Sequence, residues 1–272
     1  MSRYCLIFSK TGNLRFISHL DLMRLFQRAF KRAKYGIKYS AGFNPHPKMC
    51  FAQPLSLGYA GLKEYLDFEV DADRPLDAAA VPAQLNELLP PGVAVSECRE
   101  LPMGVNGANY RTLAALAETG AYELYLEKPE GWEGDVAALV ESFLAKESIV
   151  AVKRIKKTKC LGEVEIRPMI QSLEYVGEVP AGSEVCGMSV AAGSLQFNAV
   201  VASGSAANLN PEHLLQAFCA HAGLPFDKTC FKAVRTDLFF MEEAVLNAKR
   251  AELRAAAKEA EKAAEEAETE QE

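Results

Sequence analysis

Residues 40–48, Ser-Ala-Gly-Phe-Asn-Pro-His-Pro-Lys, hold the side chain best placed for chemistry. Gly42 permits a positive φ. Pro45 and Pro47 fix the backbone on both sides of His46 and force extended geometry on Asn44 and His46. His46 beside Lys48 is therefore either a positioned loop group or part of a rigid turn whose imidazole caps a backbone carbonyl. His19 lies at the start of a predicted helix. Two histidines close together would permit acid–base cleavage of RNA or weak metal binding, although the spacing demands neither.

Two basic stretches could bind anions. In the predicted first helix, Arg24, Arg28, Lys31 and Arg32 fall on one stripe opposite the apolar positions. Such cations repel one another unless something negative lies across them. The stripe is read as a face for nucleic-acid phosphates or an acidic partner, against an ordinary solvated helix face. Lys153-Arg154-Ile155-Lys156-Lys157-Thr158-Lys159 is the second stretch, with Glu163, Glu165 and Arg167-Pro168 beyond it. Alternation around a hairpin would put Lys153, Lys157 and Lys159 on one ridge, for phosphate contact or as a lysine-protected edge.

Charge is unevenly distributed along the chain. Residues 1–63 carry eleven Lys and Arg against one acid, Asp21, a net of +10, whereas residues 64–147 net −12. That polarity describes one basic face and a separate acidic one. The seven cysteines are scattered with no CxxC pair, which argues against a disulfide framework, a zinc finger or an iron–sulfur motif. Glycine-rich phosphate loops, a GxSxG elbow and an HExxH helix are missing, so a mainstream hydrolase or dehydrogenase is not expected. No run approaches the roughly 18–20 apolar residues of a membrane helix, and Met1 to Lys10 lacks a secretory layout. A cytoplasmic location without membrane attachment is expected.

The elements that must position these residues are legible in part. A strand is predicted over 4–8. Ser18 with Asp21 forms a capping pattern for a helix whose core face is Leu22, Phe26, Ala29 and Ala33, ended by Gly36. Strands at 37–39, 49–57 and 64–70, a helix at 77–89 and a strand at 93–98 complete a split βαβ order. Residues 101–112 carry linker composition. Beyond them we predict strands at 122–126, 150–154, 163–166, 185–191, 195–202 and 231–240. Helices are predicted at 135–145 and from Asn210 and Pro211 to Gly223.

The run Phe8-Ser9-Lys10-Thr11-Gly12, Leu14 to Asp21, Arg24 and Tyr39 to Pro47 closely resembles the radical-SAM-linked domain of unknown function. That family occurs fused behind, or encoded beside, cobalamin-domain radical SAM proteins. Leu57-Gly58, Glu64-Tyr65-Leu66-Asp67, Lys153-Arg154, Glu165-Ile166-Arg167-Pro168 and Arg235-Thr236 also look like its pattern, so the resemblance covers roughly residues 2–240. Lys159-Cys160-Leu161-Gly162 departs from the family's basic-Gly-basic stretch. The resemblance implies a radical SAM partner and, through gene context, RNA modification. The partner would carry the iron–sulfur cluster, SAM and cobalamin; no cofactor is expected in this chain.

We therefore expect an α+β protein of two tandem ferredoxin-like domains, 1–100 and 112–240, with a charged Ala/Glu/Lys-rich helical or disordered tail at 241–272. The expected role is a non-catalytic auxiliary that presents tRNA, rRNA or another anionic substrate to a radical SAM protein. The anion-binding set is Arg15, Arg24, Arg28, Lys31, Arg32, Lys48, Lys153, Arg154, Lys156, Lys157, Lys159 and Arg167. The principal alternative is a metal-independent endoribonuclease of paired ferredoxin-like domains. There His46 or His19 would be general acid or base, with Lys48 stabilising developing charge. A structural subunit that binds no nucleic acid is the third reading.

Overall fold

The computed structural model describes residues 2–71, 73, 75–102, 111–154 and 161–242. Among them, five α-helices pack on one large mixed sheet. The first half runs β1 (Ser2–Lys10), α1 (His19–Arg32), β2 (Met49–Phe51), β3 (Ala60–Val70), α2 (Val81–Asn86) and β4 (Val93–Leu101). The second runs α3 (Leu113–Leu116), β5 (Ala117–Leu126), α4 (Val136–Leu144), β6 (Val150–Arg154), β7 (Leu161–Glu165) and β8 (Ile170–Glu178). It closes with β9 (Glu184–Val185), β10 (Met188–Ser189), β11 (Leu195–Ala202), α5 (Pro211–Ala222) and β12 (Phe231–Phe240).

The sheet order is β4-β1-β3-β12-β5-β11-β8, with β2 also pairing β3. Each half arranges its own strands alike: β4-β1-β3-β2 in the first and β12-β5-β11-β8 in the second. The halves join where β12 runs parallel to β3, with Val234 opposite Ala60 and Arg235 opposite Gly61. Two main apolar clusters flank this seam. One gathers Tyr4, Leu6, Phe8, Phe26, Phe30, Leu66 and Phe68. The other gathers Leu124, Phe143, Phe197, Leu214 and Phe218. Each such side chain contributes roughly 1.5–3 kcal/mol by leaving water.

Several elements depart from expectation, each for a local reason. Helix α1 stops at Arg32, because Lys34 rather than Gly36 takes the left-handed conformation, at φ +57°. Tyr35 N–H then donates to Phe30 O at 3.0 Å, and the two rings lie 5.9 Å apart, a Schellman ending with its apolar contact. The expected helix at 77–89 starts only at Val81, since Pro82 has no amide proton and is tolerated in a first turn, and α2 ends at Asn86. Before it, Asp77 Oδ1 accepts from Ala79 N–H at 3.1 Å, which holds the chain in a turn. Strand β2 ends at Phe51, three residues before Pro54.

Strand β8 was not expected at all. A register shift opposite Val200 and Val201 places both Ile170 and Leu173 inward, which breaks the alternation that marks a strand. The run expected at 185–191 is a tight hairpin, β9–β10, whose Cys186 (φ +53°) and Gly187 (φ +74°) turn residues are both left-handed. Of the expected linker, 103–110 lies outside the described residues, as does the tail from residue 243.

Candidate functional site

The cations of α1 are arranged as its capping requires. Ser18 Oγ accepts from Asp21 N–H at 3.1 Å and donates to Asp21 Oδ2 at 2.7 Å. That hydroxyl, with the Arg24 guanidinium, holds the Asp21 carboxyl below the ordinary carboxylate range. Leu22, Phe26, Ala29 and Phe30 bury the inner face, and Arg24, Arg28, Lys31 and Arg32 are all exposed. Arg24 pairs with Asp21 at 3.1 Å. Arg28 Nε donates instead to Arg24 O at 3.3 Å, and Arg32 Nη1 to Leu88 O at 3.4 Å. Carbonyls satisfy donors without cancelling charge, so this face stays cationic. Lys31 borders a groove of about 190 Å³ between α1 and the 35–49 segment, lined by Phe30, Tyr35, Tyr39 and Met49. Tyr35 OH donates to Gln84 Oε1 at 2.8 Å, and burial pushes its pKa up to about 12.

The proline-framed loop projects beside that groove. Tyr39 bridges Pro47; Ser40 N–H donates to His46 O at 2.8 Å, and His46 N–H donates to Ser40 Oγ at 2.9 Å. Gly42 takes φ +131°, as its position in the loop predicts. Phe43 at the tip is wholly exposed, and His46 is exposed as well. Lys48 is engaged by a carboxylate: its Nζ lies 3.1 Å from both oxygens of the buried Glu69.

His19 occupies a different place. Its ring stands edge-on to Phe51 at 5.3 Å and lines a cavity of about 10 Å³, with Lys10, Ser18, Gln53 and Glu64 around it. That volume holds roughly one water. His46 is not part of that lining, so the two candidate acid–base groups are not gathered on one cavity.

The remaining sequence-derived cations separate into two groups. Arg15, on a 3-10 turn before α1, donates from Nη1 to Gly12 O at 2.8 Å and Gly187 O at 3.3 Å. Arg167 Nε donates to Leu144 O at 3.1 Å, and Nη1 to Ile170 O at 3.4 Å, so it ties the end of α4 to β8. Lys153 and Arg154 fall on β6, whereas Lys156, Lys157 and Lys159 lie outside the described residues.

Sequence reasoning overlooked the buried charges at the seam. Arg235 is 1% exposed and forks onto Glu64, with Nε to Oε1 at 2.8 Å and Nη2 to Oε2; Nη2 also donates to Gln53 O at 2.7 Å. Burial works against this charge, but the Glu64 carboxylate outweighs it and raises the Arg235 pKa. Lys10, equally buried, donates to Arg15 O at 3.4 Å. Burial lowers its pKa, which Glu64 opposes and Arg235 reinforces. The available signal was a charged residue at an inward strand position, within Ala233-Val234-Arg235.

Among the described residues, no three His, Cys, Asp or Glu side chains stand together as a metal site, and no helix is long and apolar enough to cross a membrane. The model of a family described as an uncharacterized protein conserved in bacteria, DUF2344, matches residues 3–211. No curated protein matches the chain.

Proposed function

The chain belongs to the DUF2344 family, and from that premise we propose that it is a non-catalytic auxiliary of a radical SAM enzyme, holding RNA along α1 for modification. The observation that carries the RNA reading is the face of Arg28, Lys31 and Arg32. All three are exposed and, among the described residues, none stands in a contact ion pair with a carboxylate. Phosphates are the natural counter-charge for such a row. The groove beside Lys31, with Tyr35 and Tyr39, and the exposed Phe43 supply aromatic surfaces on which unpaired bases stack. The partner is named by the resemblance of residues 8–47, and the partner would bring the iron–sulfur cluster, SAM and cobalamin. We read the two halves as tandem ferredoxin-like units, a reading supported by their shared strand order.

The endoribonuclease alternative takes His46 or His19 as general acid or base with Lys48 stabilising developing charge, and Lys48 Nζ is engaged instead by both oxygens of Glu69 at 3.1 Å. The auxiliary reading is therefore preferred. Affinity purification from native extract tests it: a radical SAM protein and RNA should co-elute. Recovery of the chain without any radical SAM protein overturns the partnership. For the α1 face, log affinity for single-stranded RNA should fall with log salt at a slope of about −2 to −3, as three or four phosphate contacts require. RNA cleavage by the isolated chain, lost in His46→Ala, would replace this reading with the nuclease.

A further inference from the structure

A cleft of about 320 Å³ opens where the two halves meet, and the α1 face leaves it unexplained. One wall is Arg15, Phe16 and the segment 57–59; the other is Met188 and parts of the segment 228–233. The volume is that of a small-ligand pocket. Its floor is apolar and buried, through Tyr59, Met188 and Phe231. At the mouth two large apolar side chains face solvent, Phe16 at 56% and Leu57 at 61% exposed.

The lining charges are all of one sign. Arg15, Lys228 and Lys232 border the cleft, and among the described residues no carboxylate does. Lys228 and Lys232 have acidic partners outside the lining, Glu212 at 2.7 Å and Glu127 at 2.9 Å. Arg15 bonds to the carbonyls of Gly12 and Gly187, so one guanidinium is anchored to both halves while keeping its charge. Its Cζ stands 4.2 Å from the centre of the Phe16 ring. The backbones meet closely here: Gly12 N–H donates to Cys186 O at 2.9 Å, and a Cβ on Gly187 would stand 2.9 Å from Gly12 Cα. The pocket is therefore made by the docking of the halves and is held in shape by it.

An exposed phenyl ring, an apolar floor and an anchored cation suit a flat aromatic ring bearing an anion. A phenyl face stacks a base, and a guanidinium bonds phosphate oxygens with charge assistance. We propose that this cleft binds one nucleotide unit, its base against Phe16 and its phosphate on Arg15 and Lys228. The proposal rests on the RNA reading for its biological source, a base leaving the strand held on α1. The chemistry is shared with a free mononucleotide, and the two are separated by experiment.

Titration calorimetry on the full chain with AMP, adenosine and a short oligoadenylate tests it. AMP should bind saturably at millimolar concentration and adenosine more weakly. Phe16→Ala should weaken AMP about tenfold, in line with the loss of one base–aromatic stack, and Phe16→Tyr should retain it. Phe16 is half exposed, so folding is not at stake; Lys228→Ala gives a second arm and should weaken AMP but leave adenosine unchanged. Oligoadenylate that competes with AMP and outbinds it assigns the site to RNA; a stronger response to AMP assigns it to free nucleotide. If AMP does not bind, or Phe16→Ala binds it as the native chain does, the cleft proposal falls. In that case oligoadenylate binding lost in Arg28→Ala/Lys31→Ala leaves the α1 reading standing. Conversely, AMP bound through Phe16 with oligoadenylate indifferent to Arg28 and Lys31 sinks the α1 reading alone.

Discussion

Two sets of arginines in this chain meet opposite fates. Arg3 and Arg235 are sealed in the sheet, 4% and 1% exposed, and each forks onto a carboxylate: Arg3 onto Asp67 at 2.8 and 2.5 Å, Arg235 onto Glu64. Arg28 and Arg32 lie on the surface of α1 and donate to carbonyls. A guanidinium sealed inside the sheet against a buried carboxylate is neutralised and serves structure. One bound to a carbonyl is positioned yet keeps its charge for an external phosphate. Net charge along the sequence does not separate these roles; the partner does.

The largest effect should come from breaking the seam. Arg235→Ala leaves Glu64 charged and buried without its partner, which costs about 3–5 kcal/mol, or of order 10 °C in Tm. Thermal unfolding followed by circular dichroism measures this. The double change Arg235→Met with Glu64→Leu should recover most of the loss, because it removes both charges and keeps apolar volume. A single substitution that leaves Tm unchanged would erase the distinction between the two sets of arginines.

Gly61→Ala should follow in size. Gly61 stands opposite Arg235 across the seam, and an added Cβ would come within 2.8 Å of Glu64 Cγ. Displacing the carboxylate from its guanidinium should cost about 1–3 kcal/mol. The loss should vanish in the background of the Arg235→Met/Glu64→Leu chain if Glu64 is what the methyl strikes, which a double-mutant cycle reads directly.

Lys10 sharpens the same contrast through pH. Its pKa is lowered in the folded chain, chiefly by burial. Between that lowered value and about 10.4, the unfolded chain binds the proton and the folded chain does not. Stability contributed at this site therefore rises with pH in that window and is least where Lys10 is charged in both states. Lys10→Met removes the dependence. The Tm difference between native and variant should move in the native chain's favour from pH 7 to pH 10, and a constant difference would place the Lys10 ammonium in solvent-like surroundings.

These buried charges were the hardest features to read from sequence, and the reason is physical. Helix α1 and its Ser18 cap, helix α5 with Asn210, Pro211 and Gly223, and strand β12 are announced by residues within a few positions of one another. Glu64 and Arg235 are 171 residues apart, and only the pairing of β3 with β12 shows that each answers the other. The bulge that hides β8 is likewise set by its partner β11, not by its own alternation. Lys34 could take the left-handed position because Tyr35 packs on Phe30, a contact that the nearby Gly36 obscured in the sequence. On the surface the reverse holds: the α1 stripe was legible because helical spacing alone fixes it. The pairing of Lys48 was not, since its partner Glu69 lies on β3.

The smallest effect on stability should accompany a large effect on binding, and Arg28 is the residue that shows it. Its side chain is exposed and donates from Nε to Arg24 O at 3.3 Å, on a helix whose inner face is already packed by Phe26, Ala29 and Phe30. Arg28→Ala replaces it with a better helix former, so stability should change by about 0.5 kcal/mol or less. If the exposed arginines are held for an external phosphate, the same change should reduce the salt slope for single-stranded RNA by about 0.7, the share of one contact. Filter binding across a salt series, beside a thermal melt, measures both on one preparation. A melt that shifts like that of Arg235→Ala would make Arg28 a structural cation. An unchanged slope would mean that its charge faces only water, and then the carbonyl-bound arginines of α1 carry no function that the carboxylate-bound ones lack.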